Sequence, residues 1–254
     1  MKKITNNLLL FCLFLALIGC EPNTEIDNNF PSNNNTGNNN VENKDENSTS
    51  NEELEEPEKP FEYTYVDLGL TSGTKWGTTN LGAKKPEEIG GYYSWGELAP
   101  KDTFTHENYK WNDKNGVTKY CNYYVDGITD YKFVLEPEDD AATVTIGDGW
   151  HIPTKEQAEE LKKECNWALV QSDTISGILI SSKVNENCIF IPCSGYYTAQ
   201  GFINDIPSAI CWTSNMAPYY CGQAFAFYIG ENFFNIHDLA WRYYGFTIRP
   251  VFNE

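Results

Sequence analysis

Between residues 61 and 254, apolar positions come in short runs interrupted by Gly, Asn or Pro, and one stretch carries a helical period. Thr154 follows Pro153 as an N-cap, with Gln157 three residues on as its capping-box partner. Ala158, Leu161 and Cys165 recur at i, i+3 and i+7, which predicts a helix ending near Asn166. Glu159 and Lys163 are spaced for an ion pair on its outer face. Residues 66–70 and 75–78 flank Thr71-Ser72-Gly73-Thr74, the signature of a hairpin turn. Residues 137–142 predict a short helical turn with acids at its positive end. Strands are expected at 178–180, 188–192, 209–214, 224–228 and 244–251. Several short antiparallel strands with one clear helix define the fold class as α+β.

The N-terminal part follows another pattern. The apolar run 8–18 stands behind Lys2 and Lys3 and is too short to span a bilayer. It closes on Leu17-Ile18-Gly19-Cys20 and resembles a bacterial lipoprotein signal peptide, which implies cleavage after residue 19 and acylation of Cys20. Residues 20–60 hold the runs Asn33-Asn34-Asn35 and Asn38-Asn39-Asn40 and eleven acids against two lysines, a net −9. Such a segment buries too little apolar surface to offset its ordering entropy, so it is expected to be a disordered tether. A chain of about forty residues spans roughly 35 Å, enough to hold a domain clear of a membrane. At about 0.8 kcal/mol per buried CH₂, several acyl chains on Cys20 would hold the protein to the membrane.

Residues 61–254 are sized for a single domain. They carry −11 of the chain's −18 once the tether's −9 and the +2 of Lys2 and Lys3 are set aside. That balance excludes nucleic acid, which needs a basic footprint. Apart from Cys12 and Cys20, the cysteines are Cys121, Cys165, Cys188, Cys193, Cys211 and Cys221. Six cysteines in an exported domain are disulfide candidates with fifteen possible connectivities, and buried free thiols are the competing reading. His106, His151 and His237 lack zinc-site spacing, so no metal or cofactor is assigned.

Six blocks carry a resemblance: YVDLGLTSGTKW at 65–76, NLGA at 80–83, GGYYSWGE at 90–97, LEPEDDAA at 135–142, GWHIPT at 149–154 and YYGFTIRPV at 243–251. In order and spacing, across 63–252, they resemble the Fibrobacter succinogenes major paralogous domain. That family is common in surface lipoproteins of Bacteroidetes and Fibrobacteres. The resemblance implies a C-type lectin-like fold, shared with formylglycine-generating enzymes, and an outer-membrane, surface-exposed location. Glu21 and the acids after it resemble the export signals of such lipoproteins, and Asp173-Thr174-Ile175 resembles a short O-glycosylation sequon.

Five tyrosine doublets stand out: 92–93, 123–124, 196–197, 219–220 and 243–244. In a strand, adjacent rings point to opposite faces, so one ring can pack while its neighbour stacks on a sugar ring or peptide. Structural packing of both rings is the competing reading. Trp76, Trp95, Trp150 and Trp212 read as core. Trp111, Tyr124, Tyr197, Tyr220, Trp241 and Tyr243 are the ligand-binding candidates. Trp111-Asn112-Asp113 and Glu21-Pro22-Asn23 repeat calcium-lectin tripeptides but are misplaced along the chain. The acids 136–140 read as a solvated helix start, and Arg249 as a structural ion pair. Nucleophile, metal and nucleotide motifs are absent, and Cys211 and Cys221 are the nearest thiols to an oxidase pair. The expectation is a non-catalytic, membrane-anchored binding or adhesion module for glycan or protein ligands. The alternatives are a structural envelope component and a degenerate formylglycine-generating-type enzyme.

Overall fold

The computed structural model describes residues 61–254; the signal segment, Cys20, Glu21-Pro22-Asn23 and the tether to Pro60 lie outside the described residues. The chain begins with β1 (Tyr65–Val66) and β2 (Lys75–Gly77), then the hairpin β3 (Asn112–Asp113) and β4 (Gly116–Val117). A 3-10 turn (Pro137–Asp139), a short helix (Ala141–Ile146), β5 (Trp150–His151) and a long helix (Lys155–Glu164) follow. Next come β6 (Cys165–Gln171), β7 (Ser176–Ser182), β8 (Cys188–Pro192), β9 (Tyr196–Thr198) and β10 (Gly201–Ile203). The last strands are β11 (Ala209–Met216), β12 (Gln223–Gly230), β13 (Phe233–Trp241) and β14 (Val251–Phe252). Among described residues 10% are helical and 35% lie in strands of small antiparallel sheets, a broadly α+β or mostly-β fold.

Three sheets carry the architecture. One joins both ends of the described chain in the order β1-β2-β14-β5, while β6-β7-β8 and β11-β12-β13 are meanders. In β11, Ile210 and Trp212 enter one buried cluster, with Trp95 and Phe246, and Ala209 and Cys211 enter another, with Trp76, Leu161 and Ile178. In β12, Ala224 and Ala226 join the first cluster and Phe227 and Ile229 the second. Side chains alternate across a strand, so this sheet separates two cores, one on each face.

The long helix forms as its pattern predicts. Thr154 Oγ1 accepts from the Gln157 amide at 3.2 Å, Gln157 Oε1 accepts from the Thr154 amide at 2.8 Å, and Ala158 and Leu161 are buried. The helix ends at Glu164, because Cys165 is extended and already opens β6. Glu159 pairs with Lys155 at 3.6 Å, one turn toward the N-terminus from the expected Lys163. The 71–74 turn joins paired β1 and β2, with the Gly73 amide donating to Leu70 O. Residues 137–142 form the 3-10 turn and enter the short helix, whose N-cap Asp140 accepts from the amides of Ala142 and Thr143. The expected strands in 178–228 lie within β7, β8, β11 and β12.

Two further expectations fail. Residues 244–251 are not one strand: Gly245 bridges Tyr197, Phe246 bridges Tyr93 and Thr247 bridges Cys211 before Val251 enters β14. Arg249 makes no ion pair among the described residues; fully buried, it donates from Nη1 to Gly77 O at 2.9 Å and from Nη2 to Phe190 O at 2.7 Å. Burial pulls its pKa down to about 10, opposed by nearby Cys211, and its two bonds tie β2 to β8.

Of the six domain cysteines, Cys121 and Cys221 form a disulfide, while Cys165, Cys188, Cys193 and Cys211 are thiols. Cys165 pairs with Ser182 on one side of β7 and Cys188 with Ser181 on the other. The two thiols are thus about two strand spacings of ~4.8 Å apart, beyond the ~7 Å Cα limit of a disulfide. Cys211 is buried against Thr247 Oγ1, 3.3 Å away. Partly buried Cys193 packs against the same core as Cys165 and Cys211.

Candidate functional site

A cavity of about 200 Å³ opens where three irregular segments meet the end of β13. Trp241, the last residue of β13, pairs with Gln223, and the chain then turns, the Tyr244 amide donating to Trp241 O. Trp241 and Tyr243 line the cavity while Arg242 between them is buried beneath it. Tyr220 and Gly222 reach it from the β11–β12 turn, His106 and Asn112 from the segment before and into β3, and Val125 and Asp126 from the loop after β4.

The rings form a continuous wall. Tyr220 stands perpendicular to Trp241 at 5.5 Å between centroids, Trp241 lies at 30° to Tyr243 at 5.8 Å, and His106 meets Tyr243 edge-on at 6.0 Å. Each contact is within the range in which aromatic pairs attract. A Cβ on Gly222 would sit 3.1 Å from Tyr220 and 3.3 Å from Trp241, so the glycine preserves room against this wall. Gly116 has φ +108°, and a Cβ there would come within 2.3 Å of Asp126 O, so the β3–β4 turn can approach the 126 loop only as glycine.

Beneath the wall, Arg242 is held by neutral partners. Its Nε donates to Tyr109 Oη at 2.8 Å, Nη1 to Cys221 O at 2.8 Å, and both Nη atoms to Lys119 O at 3.1 Å. The guanidinium lies 4.5 Å from the Trp95 ring centroid. Burial lowers its pKa, opposed by Tyr109; Tyr109 is itself pushed up by burial. Tyr109 Oη also donates to Trp95 O at 2.8 Å, so one hydroxyl links the cavity lining to the core.

The disulfide joins the two loops at the cavity, with Cα atoms 4.9 Å apart. Asp126 Oδ2 accepts from the Cys221 amide at 3.1 Å, and Asn122 Nδ2 donates to Pro218 O at 2.8 Å. Tyr120, just before the bridge, has φ +60°, an uncommon conformation for a tyrosine. Asp130 sustains it by accepting from the amides of Tyr120, Cys121 and Lys132.

Of the six ligand candidates, Tyr220, Trp241 and Tyr243 come together here. Tyr124, 77% exposed, stands on the adjoining loop beside Tyr123. Trp111 packs half-buried on the aromatic core, donates from Nε1 to Gly96 O at 3.2 Å and carries the Lys110 ammonium 4.1 Å from its ring. Tyr197 belongs to a separate cluster, stacked on Phe104 at 5.4 Å and edge-on to Tyr92 at 4.9 Å. Trp76, Trp95, Trp150 and Trp212 are buried. The pattern did not single out Asp126 and Gly222; Asn112 enters it only through the tripeptide at 111–113, and His106 only as a histidine without zinc-site spacing.

The carboxylates of Glu136, Glu138 and Asp139 lie within 4.8 Å of one another, a spacing that suits a cation. Lysines supply the cation: Lys119 Nζ is 2.5 Å from Asp139 and 2.7 Å from Glu136, Lys110 is 3.1 Å from Asp139, and Lys132 is 2.6 Å from Glu136. The two thiols nearest to an oxidase pair are apart in chemistry: Cys221 is bridged to Cys121, and burial pushes Cys211 up to about 11. Thr174 sits at the exposed turn between β6 and β7.

The described residues build small antiparallel sheets with few helices, a broadly α+β or mostly-β fold. Compared with known proteins, it matches no family model, no curated protein and no solved structure.

Proposed function

We propose that the protein is an outer-membrane lipoprotein, anchored through acylated Cys20, whose domain at 61–254 has a C-type lectin-like fold of the Fibrobacter succinogenes major paralogous type. Held out on an acidic tether, the domain binds surface glycan or protein ligands without catalysis. The observation that carries this reading is the cavity walled by Tyr220, Trp241 and Tyr243. It adjoins an exposed apolar surface: of 17 exposed large apolar residues among the described ones, nine lie at 123–134 and 219–220, with Tyr124 77% and Tyr219 87% exposed. The bridge ties these two segments together. Such concentrations mark interaction surfaces more often than chance.

The test is a glycan and extracellular-matrix array probed with the full-length chain, in calcium and again in chelator. A selective signal is expected. No signal from folded protein overturns the binding module and leaves a structural envelope component. Cys20→Ala is expected to abolish labelled palmitate incorporation and release the protein from the membrane fraction; retention of both would sink the anchor.

A further inference from the structure

Resting on the binding-module reading, we propose that the cavity takes a single neutral pyranose ring, stacked on the Trp241–Tyr243 wall and held by hydrogen bonds to Asp126 and Asn112, with no metal ion. Its size sets the first limit. At about 200 Å³ it is smaller than the ~300–1,000 Å³ sites that enclose drug-sized ligands, so it accommodates one ring of a larger molecule.

Its lining sets the chemistry. The rings form a continuous aromatic surface, suited to the flat C–H face of a sugar ring. The lining also includes an amide, Asn112, and a carboxylate, Asp126. Asp126 uses Oδ2 for the Cys221 amide, and Oδ1 has no hydrogen-bond partner among the described residues. Asn112 donates through Nδ2 to His106 O at 3.3 Å, and its Oδ1 likewise has none. Two lining residues that each keep an acceptor unused, in a cavity with an aromatic wall, match a ligand that is apolar on one face and hydroxylated at its rim.

An organic cation fits less well. Cation recognition sets ring faces around a central point, whereas here neighbouring centroids are 5.5–6.0 Å apart and the rings touch one another. Asp126 is the single carboxylate in the lining among the described residues, which also falls short of a calcium donor set. The site is preorganised by the disulfide, by the Asp126–Cys221 bond and by the Arg242 contacts below, which limits the ordering entropy a weak ligand must offset.

The test uses the full-length lipidated chain in detergent, labelled with 5-fluorotryptophan, the Trp241 resonance being assigned through Trp241→Phe. Methyl glycosides of glucose, galactose, mannose and N-acetylglucosamine are titrated in calcium and in EDTA, and tetramethylammonium chloride separately. The expected result is a saturable Trp241 shift with at least one glycoside, Kd on the order of 1 mM, unchanged by EDTA. Tyr220→Ala, at a position 43% exposed and therefore safe for folding, is expected to weaken it about tenfold; Trp241→Ala removes the reporter and is read on the array, where its signal is expected to fall about tenfold. A shift with tetramethylammonium and no glycoside overturns the sugar assignment. An array signal that survives both alanine variants places the ligand elsewhere and overturns it too. The binding module stands in both cases. No shift with any probe, together with a silent array, overturns inference and module alike.

Discussion

The two faces of the β11–β12–β13 sheet are packed with different chemistry. On one, Leu68, Leu161, Ile178, Ile180, Ile189 and Ile191 close around Trp76 and Phe227 with two buried thiols, Cys165 and Cys211. On the other, Trp95, Trp212, Tyr93, Tyr120 and Phe246 pack with the Cys121–Cys221 bridge, and Arg242 lies against Trp95. Aliphatic packing is non-directional, and the first face closes with few polar groups, among them Arg249 bonded to the carbonyls of Gly77 and Phe190. Rings with hydroxyls, a guanidinium and carbonyls must satisfy directional bonds, and that requirement fixes irregular loops in place. The cavity opens at loops held by the disulfide, the Asp126–Cys221 bond and the Arg242 contacts.

The largest expected effect comes from that directional network. Arg242→Met strips Tyr109 Oη and the carbonyls of Lys119, Tyr120 and Cys221 of their donor and is expected to destabilise by about 4 kcal/mol in urea unfolding. A loss under 1 kcal/mol would show that the aromatic face stands without it. The double variant Cys121→Ser, Cys221→Ser frees a closure of 100 residues and should lower stability by roughly 3–4 kcal/mol, with new thermolysin cleavage in 122–131. Unchanged cleavage would mean that the loop is held by its hydrogen bonds alone.

Leu161→Ala probes the aliphatic face. A loss of roughly 2–3 kcal/mol is expected, with ligand affinity of the folded fraction unchanged; a lost affinity would couple the two faces. The acid response should arise on the aromatic side. Burial of Asp139 opposes its ionisation, but hydrogen bonds from Lys119, Tyr120 and Lys110 outweigh this and hold its pKa below the ordinary value. The unfolded chain then binds this proton more readily. The stabilisation is therefore present above about pH 4 and declines as pH falls toward the folded pKa, an acid sensitivity that Asp139→Asn should diminish. At the small end, Tyr124→Ala should shift stability by no more than about 0.5 kcal/mol, because its ring is mostly in solvent.

Elements specified by neighbours in the chain were legible in advance. The long helix follows from its capping box and one buried face, and β8 from an unbroken apolar run between polar turns. Strand β6 was hidden because it begins at the residue ending the helix, with no turn residues between. In β13, Asn235 and His237 obscure the apolar alternation. Residues 244–251 read as a strand by composition, yet Gly245, Phe246 and Thr247 bridge three different partners. Half of the site could be foreseen: aromatic character marked Tyr220, Trp241 and Tyr243, but also Trp111 and Tyr197, whose rings serve packing.

By itself the sequence determined the acidic balance, the capped helix and the aromatic wealth of the domain, since each depends on composition or on residues a few positions apart. Tertiary structure alone decided which cysteines join, that Arg249 is held by carbonyls, that lysines occupy the 136–139 carboxylates, and that His106, Asn112, Asp126, Tyr220, Trp241 and Tyr243 share one cavity. These outcomes depend on distances between residues up to 172 positions apart, which no local propensity encodes and only tertiary packing brings about.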